Sequence, residues 1–177
     1  IESYMKQMEE SAADLTEAFL GVITVKGLLL NLIMIAIIPA IGEELLFRGI
    51  IQRWLGSWLE NIHVSIIITA AIFSAVHFQF YGFIPRMVFG ILFGYMYYWS
   101  GSLWLPIVAH LVNNSTAVLL AYIENTATLP FDQDEIGTGE NEMFLLIGST
   151  IVVCVLIFYL YRTMKNSFNR EVRSETP

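Results

Sequence analysis

Long apolar runs separated by short polar stretches dominate the chain after its first twenty or so residues. A run of about 20 predominantly apolar residues is long enough to cross a bilayer as a helix. The pattern predicts five membrane helices, at residues 27–54, 62–80, 85–99, 104–122 and 143–161. The first of them, at about 28 residues, exceeds the usual span, so we expect it to tilt or to break near Pro39.

Polar segments flank the apolar part of the chain. Residues 1–21 are acidic, and apolar positions recur among the charged ones, which predicts an amphipathic helix over about residues 3–20. Such a helix belongs at the membrane interface or outside the membrane rather than across it. The chain is therefore expected to be one all-α, polytopic membrane domain, with a leader at 1–21, a helix bundle at 27–161 and a basic tail at 162–177.

Composition agrees with a membrane protein and excludes several other classes. Of the 177 residues, 56% are hydrophobic and only 14% are charged, whereas a soluble domain is near a quarter charged. The net charge of −7 and the lack of a basic stripe argue against a nucleic-acid partner and leave membrane lipids as the expected surroundings. Cys154 is the single cysteine, so neither a disulfide framework nor a thiolate metal site is available.

The distribution of charge predicts an orientation. Positively charged residues near membrane helices favour the cytoplasmic side. The C-terminal tail carries four of them, Arg162, Lys165, Arg170 and Arg173. The segment 124–142 carries acidic residues but no Lys or Arg, which suits the opposite side. We therefore expect an integral protein of the plasma (inner) membrane with a cytoplasmic C-terminus.

Charged residues also occur inside the first membrane helix, in the sequence IGEELLFRGI. Ionisable groups are costly in a bilayer and normally face the protein interior or a hydrated cavity. Glu44 and Arg48 are four residues apart, so they are neighbours on one helix face and can pair. That pairing would leave Glu43 as the carboxylate available for chemistry.

Two further pairs have the same spacing. Phe73 and His77 lie on the second helix, and His110 and Asn114 lie on the fourth. Polar side chains on three helices of one small bundle are most economically placed around a single cavity. A carboxylate and an imidazole can activate water there, and a His–Asn face offers N–H donors to a developing oxyanion. This combination indicates hydrolysis of an acyl bond, with a peptide as the obvious candidate.

The three pairs together resemble the motifs of a known family. EELLFR, Glu43–Arg48, is similar to the E-E-x-x-x-R motif of the CPBP membrane proteases, the CAAX-protease and bacteriocin-processing family also called Abi. FSAVH, Phe73–His77, resembles its F-x-x-x-H motif, and HLVNN, His110–Asn114, resembles its H-x-x-x-N motif. The motifs occur in the order of the family, over roughly residues 39–114.

The resemblance implies an intramembrane endopeptidase and gives each residue a role. Glu43 and His77 would activate the attacking water, and His110 and Asn114 would form the oxyanion site. Three side chains would support them, those of Glu44, Arg48 and Phe73. The substrate would be a membrane-associated protein or peptide, a prenylated CAAX-type protein among the candidates. Members have about eight helices, so this chain is expected to be the C-terminal part of a longer protein.

Several alternatives remain open at this point. Glu43, His77 and His110 could supply a three-ligand zinc site, although the sequence has no H-E-x-x-H and a glutamate–histidine pair can activate water unaided. The charged residues could instead be an ion pair that fixes helix register, and the fourth helix could use its polar pair for interhelical hydrogen bonds. The whole protein could then be a catalytically silent scaffold or a partner subunit in a membrane complex. A proton-coupled transporter is a third class.

The predicted helix bounds place two of the candidate residues at different depths. At a rise of about 1.5 Å per residue, Glu43 lies about 16 Å from the cytoplasmic end of its helix, and His77 lies about 22 Å from the start of the second helix. The two side chains meet only if the helices tilt or if the second helix begins later than residue 62.

Overall fold

The computed structural model describes residues 2–126, Phe158 and residues 161–163. Residues 1–128 form one compact unit and residues 129–177 form another. All regular structure in the described part of the chain is helical, with no strand, which confirms the all-α prediction.

Some predictions fall on the remaining residues. Most of the predicted helix 143–161 lies outside the described residues, as do nearly all of the acidic segment 124–142 and of the basic tail 162–177. The predicted orientation of the chain and its single-domain organisation therefore stay predictions.

Five helices make up the first unit. They are α1 (Glu2–Leu20), α2 (Val25–Leu59), α3 (Ile62–Ala75), α4 (Phe83–Ser100) and α5 (Trp104–Thr126). Within the described residues, only α2 and α5 are both long and apolar enough to cross a bilayer, and α3 is a shorter apolar helix. The predicted count of about five membrane helices is therefore not confirmed, although each predicted helix before residue 126 has a counterpart.

The irregularity that we expect at Pro39 takes the form of a π-helical segment inside α2. Leu32–Ile37 is π-helical, and regular α-helix resumes at Ile38 with the proline in its first turn. Proline has no N–H, so it cannot donate to the carbonyl of Ile35, the acceptor that a regular α-helix would give it. The π-helical segment therefore lets the helix continue through the proline instead of ending there. A second one, Leu45–Gln52, follows in the same helix.

Two helix ends differ from the sequence prediction by five residues each. The first apolar helix continues to Leu59 rather than ending at Trp54, and it stops where Glu60 adopts a left-handed conformation with φ of 52°. The second ends at Ala75 rather than Phe80, close to Phe78, whose φ is 54°. A non-glycine residue in the left-handed region cannot continue a right-handed helix. Both ends are thus set by single backbone conformations that hydrophobic periodicity does not reveal.

Helices α3 and α4 approach each other closely at two glycines. Gly90 and Gly94 are buried, and a Cβ atom added to Gly90 would lie 3.0 Å from Ala70 Cβ and 3.2 Å from Ala70 Cα. A Cβ at Gly94 would lie 2.8 Å from Ile66 Cγ2. Small residues allow this close packing between membrane helices, so the G-x-x-x-G spacing is part of the helix contact. Gln52 of α2 joins the same contact by donating to the Gly94 carbonyl at 3.1 Å.

Replacing Gly90 with alanine should force α3 and α4 apart, because the atoms of Ala70 that the new methyl group meets belong to a helix backbone and its Cβ. We expect Gly90→Ala to lower the free energy of unfolding by about 1–3 kcal/mol, the usual cost of overpacking. Thermal unfolding in detergent micelles measures the change.

Gly42→Ala provides the control, because a Cβ at Gly42 meets no atom within 4 Å. Alanine is favoured over glycine by about 1 kcal/mol in a helix interior, so Gly42→Ala should not destabilise the protein. Equal effects of the two substitutions would contradict the close approach.

Candidate active site

A buried ion pair lies at the centre of the helix bundle. Arg48 Nη1 donates to Glu44 Oε1 at 2.6 Å, and neither side chain has any exposed surface. Arg48 Nη2 donates to the carbonyl of Gly90 on α4 at 2.8 Å. The guanidinium also lies 4.9 Å from the ring centre of Phe73 and 5.5 Å from that of Phe93, within the range of cation–π attraction. The predicted pair is therefore present, and it connects α2 to α4.

His110 of α5 is oriented by the same carboxylate. Its Nδ1 atom lies 2.9 Å from Glu44 Oε1. Because a carboxylate paired with an arginine only accepts hydrogen bonds, Nδ1 carries the proton and donates. The other ring nitrogen, Nε2, lies 3.8 Å from Glu43 Oε2, and the ring stacks on Phe93 with centres 5.2 Å apart. Glu44 thus sets which nitrogen of His110 faces Glu43.

The two adjacent glutamates have different surroundings. The side chain of Glu44 is completely buried, whereas that of Glu43 is 29% exposed. Glu44 Oε1 is bound by Arg48 and His110, while the nearest imidazole nitrogen to Glu43 is farther than a hydrogen bond. This difference matches the expectation that pairing with Arg48 leaves Glu43 as the available carboxylate.

His77 lies in the turn that follows α3 and not on the helix itself, which corrects the sequence assignment. The predicted contact with Phe73 nevertheless forms, with ring centres 5.2 Å apart in an edge-on arrangement. His77 Nδ1 is 2.8 Å from the carbonyl oxygen of Phe73. A carbonyl can only accept, so Nδ1 carries the proton, and Nε2 remains an acceptor when the ring is neutral.

Asn114 connects α5 to the irregular part of α2. Its Nδ2 atom donates to the carbonyl of Ile35 at 3.2 Å, and this carbonyl is the one that Pro39 cannot bond. Asn114 Oδ1 accepts from the neighbouring Asn113 at 3.2 Å. An amide nitrogen has two hydrogens, so one N–H of Asn114 fixes its position and a second remains for another acceptor.

One cavity of about 580 Å³ brings the candidate residues together. Four of them line it, namely Glu43, His77, His110 and Asn114. Apolar side chains, among them Met34, Phe89 and Phe93, form other parts of its wall. The supporting residue Phe73 also lines the cavity, whereas Glu44 and Arg48 are buried outside its lining.

The longer first helix also resolves the difference in depth between Glu43 and His77. Because α2 ends at Leu59, about 24 Å of helix separates Glu43 from the turn at Glu60. His77 follows the end of α3, about 20 Å from the same turn. The second helix begins at Ile62 as expected, so the later end of the first helix accounts for the match.

The arrangement does not form a recognisable metal site. Within the described residues, no three His, Cys, Asp or Glu side chains are grouped so that they could hold a metal ion. The trio proposed as zinc ligands, Glu43, His77 and His110, lines the cavity without converging on one point as a ligand set. These side chains as placed do not fit a three-ligand zinc centre.

Sequence reasoning missed one charged residue of the cavity. Arg86, near the start of α4, lines the same space as Glu43 and His77. Arg48 was noticed in the sequence because it is an arginine inside an apolar helix, and the same is true of Arg86 in the sequence FIPRMVF. It had no acidic neighbour at a four-residue spacing, so no pairing pattern marked it. The roles of Phe93 and of the Gly90 carbonyl had no sequence pattern at all.

The similarity to known proteins covers the part of the chain that contains the site. Residues 25–116, slightly more than half of the chain, match the family described as type II CAAX prenyl endopeptidase Rce1-like. This segment contains the three motifs and every residue of the site described above. No solved structure matches the chain significantly.

Two proteins of Bacillus subtilis (strain 168) are similar to parts of the chain. "Uncharacterized protein YpbD" is 33% identical over 86 residues, which cover 46% of this chain and 41% of that protein. "Putative membrane peptidase YdiL" is 31% identical over 121 residues, which cover 64% of this chain and 48% of that protein. The chain thus spans less than half the length of either relative. By its family match and its three motifs, the chain belongs to the type II CAAX prenyl endopeptidase Rce1-like family of membrane endopeptidases.

Proposed function

We propose that this chain is a membrane-embedded endopeptidase that hydrolyses a peptide bond in a membrane-associated protein or peptide, with prenylated CAAX-type proteins as the substrate class. The observation that carries the proposal is that Glu43, His77, His110 and Asn114, from three separate parts of the chain, line one cavity. Family membership supports the same reaction class.

Water activation is assigned to Glu43 and His77. The carboxylate of Glu43 is partly exposed and has no direct hydrogen bond to His110, so it can accept a proton from water. His77 donates its Nδ1 proton to the Phe73 carbonyl, which leaves Nε2 as a second acceptor. A water held by these acceptors attacks the carbonyl carbon of the scissile bond. Its hydroxyl adds to that carbon, and its other proton passes through Glu43 to the leaving amine.

Stabilisation of the tetrahedral intermediate is assigned to His110 and Asn114. Nε2 of His110 faces the cavity because Nδ1 is held by Glu44, and it donates to the oxyanion when the ring carries a second proton. Asn114 contributes the N–H that Ile35 does not use. One such donor is typically worth about 2.7–4 kcal/mol of transition-state stabilisation. Glu44 and Arg48 act as positioning residues beneath these groups.

Glu43→Gln tests the water-activating role. It keeps the size of the side chain and removes its ability to take a proton, so we expect kcat to fall by about 10²–10⁴-fold, the usual contribution of a general base. Cleavage of a farnesylated CAAX-type peptide in proteoliposomes, followed by mass spectrometry of the products, gives the rate. Glu60→Gln, an exposed residue outside the cavity, is the matched control and should retain wild-type activity.

Retained cleavage by the Glu43→Gln protein would contradict the catalytic assignment. Absence of cleavage by the wild-type protein, together with purification in a stable complex with another membrane protein, would favour the alternative of a catalytically silent scaffold.

Replacing Glu44 with glutamine should destabilise the protein more than the same replacement of Glu43. Glu44→Gln leaves the fully buried Arg48 without a compensating charge, a change that typically costs about 3–5 kcal/mol. Glu43→Gln removes a partly exposed carboxylate and should leave Tm close to that of the wild type. Thermal unfolding of both variants in the same detergent makes the comparison, and equal Tm values would contradict the different environments of the two residues.

Chelation distinguishes the unaided pair from a zinc centre. Because the proposed steps use only protein groups, activity should persist after treatment with 1,10-phenanthroline, and elemental analysis should find substoichiometric zinc. Loss of activity that added zinc restores would instead assign metal ligation to Glu43, His77 and His110.

A further inference from the structure

We propose that Arg86 forms a carboxylate-binding subsite of the cavity and selects substrates whose scissile bond lies close to a free C-terminal carboxylate. The inference rests on the proposed endopeptidase function and names the feature of the substrate that the site recognises. It assigns a role to a cavity residue outside the three motifs.

The guanidinium of Arg86 is held in a fixed place on the cavity wall. Its Nη2 atom donates to Gln79 Oε1. Gly82 lies beside it, and a Cβ atom at that position would be 3.1 Å from Nη2 and 3.4 Å from Nη1. The missing side chain of Gly82 thus leaves the space that the guanidinium occupies, and Gln79 fixes its direction.

Arg86 retains donor capacity that the fold does not use. Its Nη1 atom is buried and has no hydrogen-bond partner among the described residues. Arg48 also has a buried donor, Nε, without a partner in the described part of the chain, but its Nη1 and Nη2 atoms are bound to Glu44 and to the Gly90 carbonyl, and it does not line the cavity. A buried donor without a partner is costly, so a ligand that accepts from Nη1 would relieve that cost.

The charge of Arg86 is not neutralised by an ion pair among the described residues. Among the described residues that line the cavity, Arg86 is the single Lys or Arg. Glu43 and Glu9 are the carboxylates that interact with it electrostatically, but neither forms an ion pair with it within the described part of the chain. Glu9 instead accepts the backbone N–H groups of Phe80 and Tyr81, at 2.9 and 3.3 Å.

A carboxylate suits this environment better than a neutral group. The planar guanidinium matches a carboxylate with two parallel hydrogen bonds. Arg86 also lies in the first turn of the 18-residue helix α4, where the helix dipole favours negative charge. Because Arg86 and the water-activating Glu43 line the same cavity, a carboxylate bound by the arginine lies near the scissile bond. The geometry therefore favours cleavage near the C-terminus over cleavage in the middle of a long chain.

Three farnesylated peptides of one sequence test the proposal, each with three residues after the prenylated cysteine. The first ends in a free carboxylate, the second in an amide, and the third in an amide with aspartate as its last residue. The wild-type protein should cleave the acid with a kcat/KM about tenfold to hundredfold above that for the amide, as a hydrogen bond between charged groups supports. The aspartate peptide should be cleaved as slowly as the amide.

Arg86→Gln should remove this preference by lowering kcat/KM for the acid to the value for the amide. Arg86→Lys, which keeps the charge but loses the forked geometry, should retain part of the preference. Arg53→Gln is the matched control, since Arg53 is exposed and outside the cavity, and it should behave as the wild type. Thermal unfolding in the same detergent shows whether the Arg86→Gln protein is folded.

The outcomes separate the inference from the function on which it rests. An equal loss of both rates in Arg86→Gln would show that Arg86 acts through Glu43 or through folding, which overturns the subsite. Equal cleavage of acid and amide by the wild type would overturn it too and leave the endopeptidase in place. Fast cleavage of the aspartate peptide would overturn selection of the C-terminus. Failure of the wild type to cleave any peptide would count against the proposed function itself.

Discussion

Arg48 and Glu44 meet at 2.6 Å inside the bundle, and each has a further partner on a different helix. A buried charge is tolerated when it is paired and its remaining donors and acceptors are bound. Arg48 is bound in addition by the Gly90 carbonyl of α4, and Glu44 by His110 of α5, while Arg48 Nε and Glu44 Oε2 have no partner among the described residues. The requirement to compensate one buried arginine therefore fixes the positions of three helices. The close approach at Gly90 and the orientation of His110 both follow from it.

The same network separates the functions of two adjacent carboxylates. Glu44 is bound on the inner side of α2 and holds the Nδ1 proton of His110, whereas Glu43 reaches the cavity with part of its surface exposed. Catalytic groups need positions held by a second set of residues. Here the supporting pair and the available carboxylate come from one short sequence, so the position of one fixes that of the other.

Irregular backbone also contributes to the site. The proline in α2 leaves the Ile35 carbonyl without its usual donor, and Asn114 of α5 supplies one. The left-handed conformation of Phe78 lies just after His77 and keeps α3 from continuing past the site. His77 therefore sits in a turn, where its Nδ1 proton still reaches the Phe73 carbonyl. In both cases a polar side chain, Asn114 or His77, is placed at the cavity by an interruption of a helix and not by its position in the regular helical repeat.

The sequence by itself determined the helical class, the position of the apolar segments and the three residue pairs, because these depend on local spacing and on the cost of charge in lipid. It gave no indication that Glu60 and Phe78 would end helices, since those conformations depend on how the chain turns between packed helices. The sequence also contains Arg86, but no acidic residue lies four positions away from it to mark it as part of a pair. A shared cavity for Glu43 and the two histidines was expected from the sequence, but only the tertiary structure placed Arg86 in it, because residues distant in the chain become neighbours only when the helices pack.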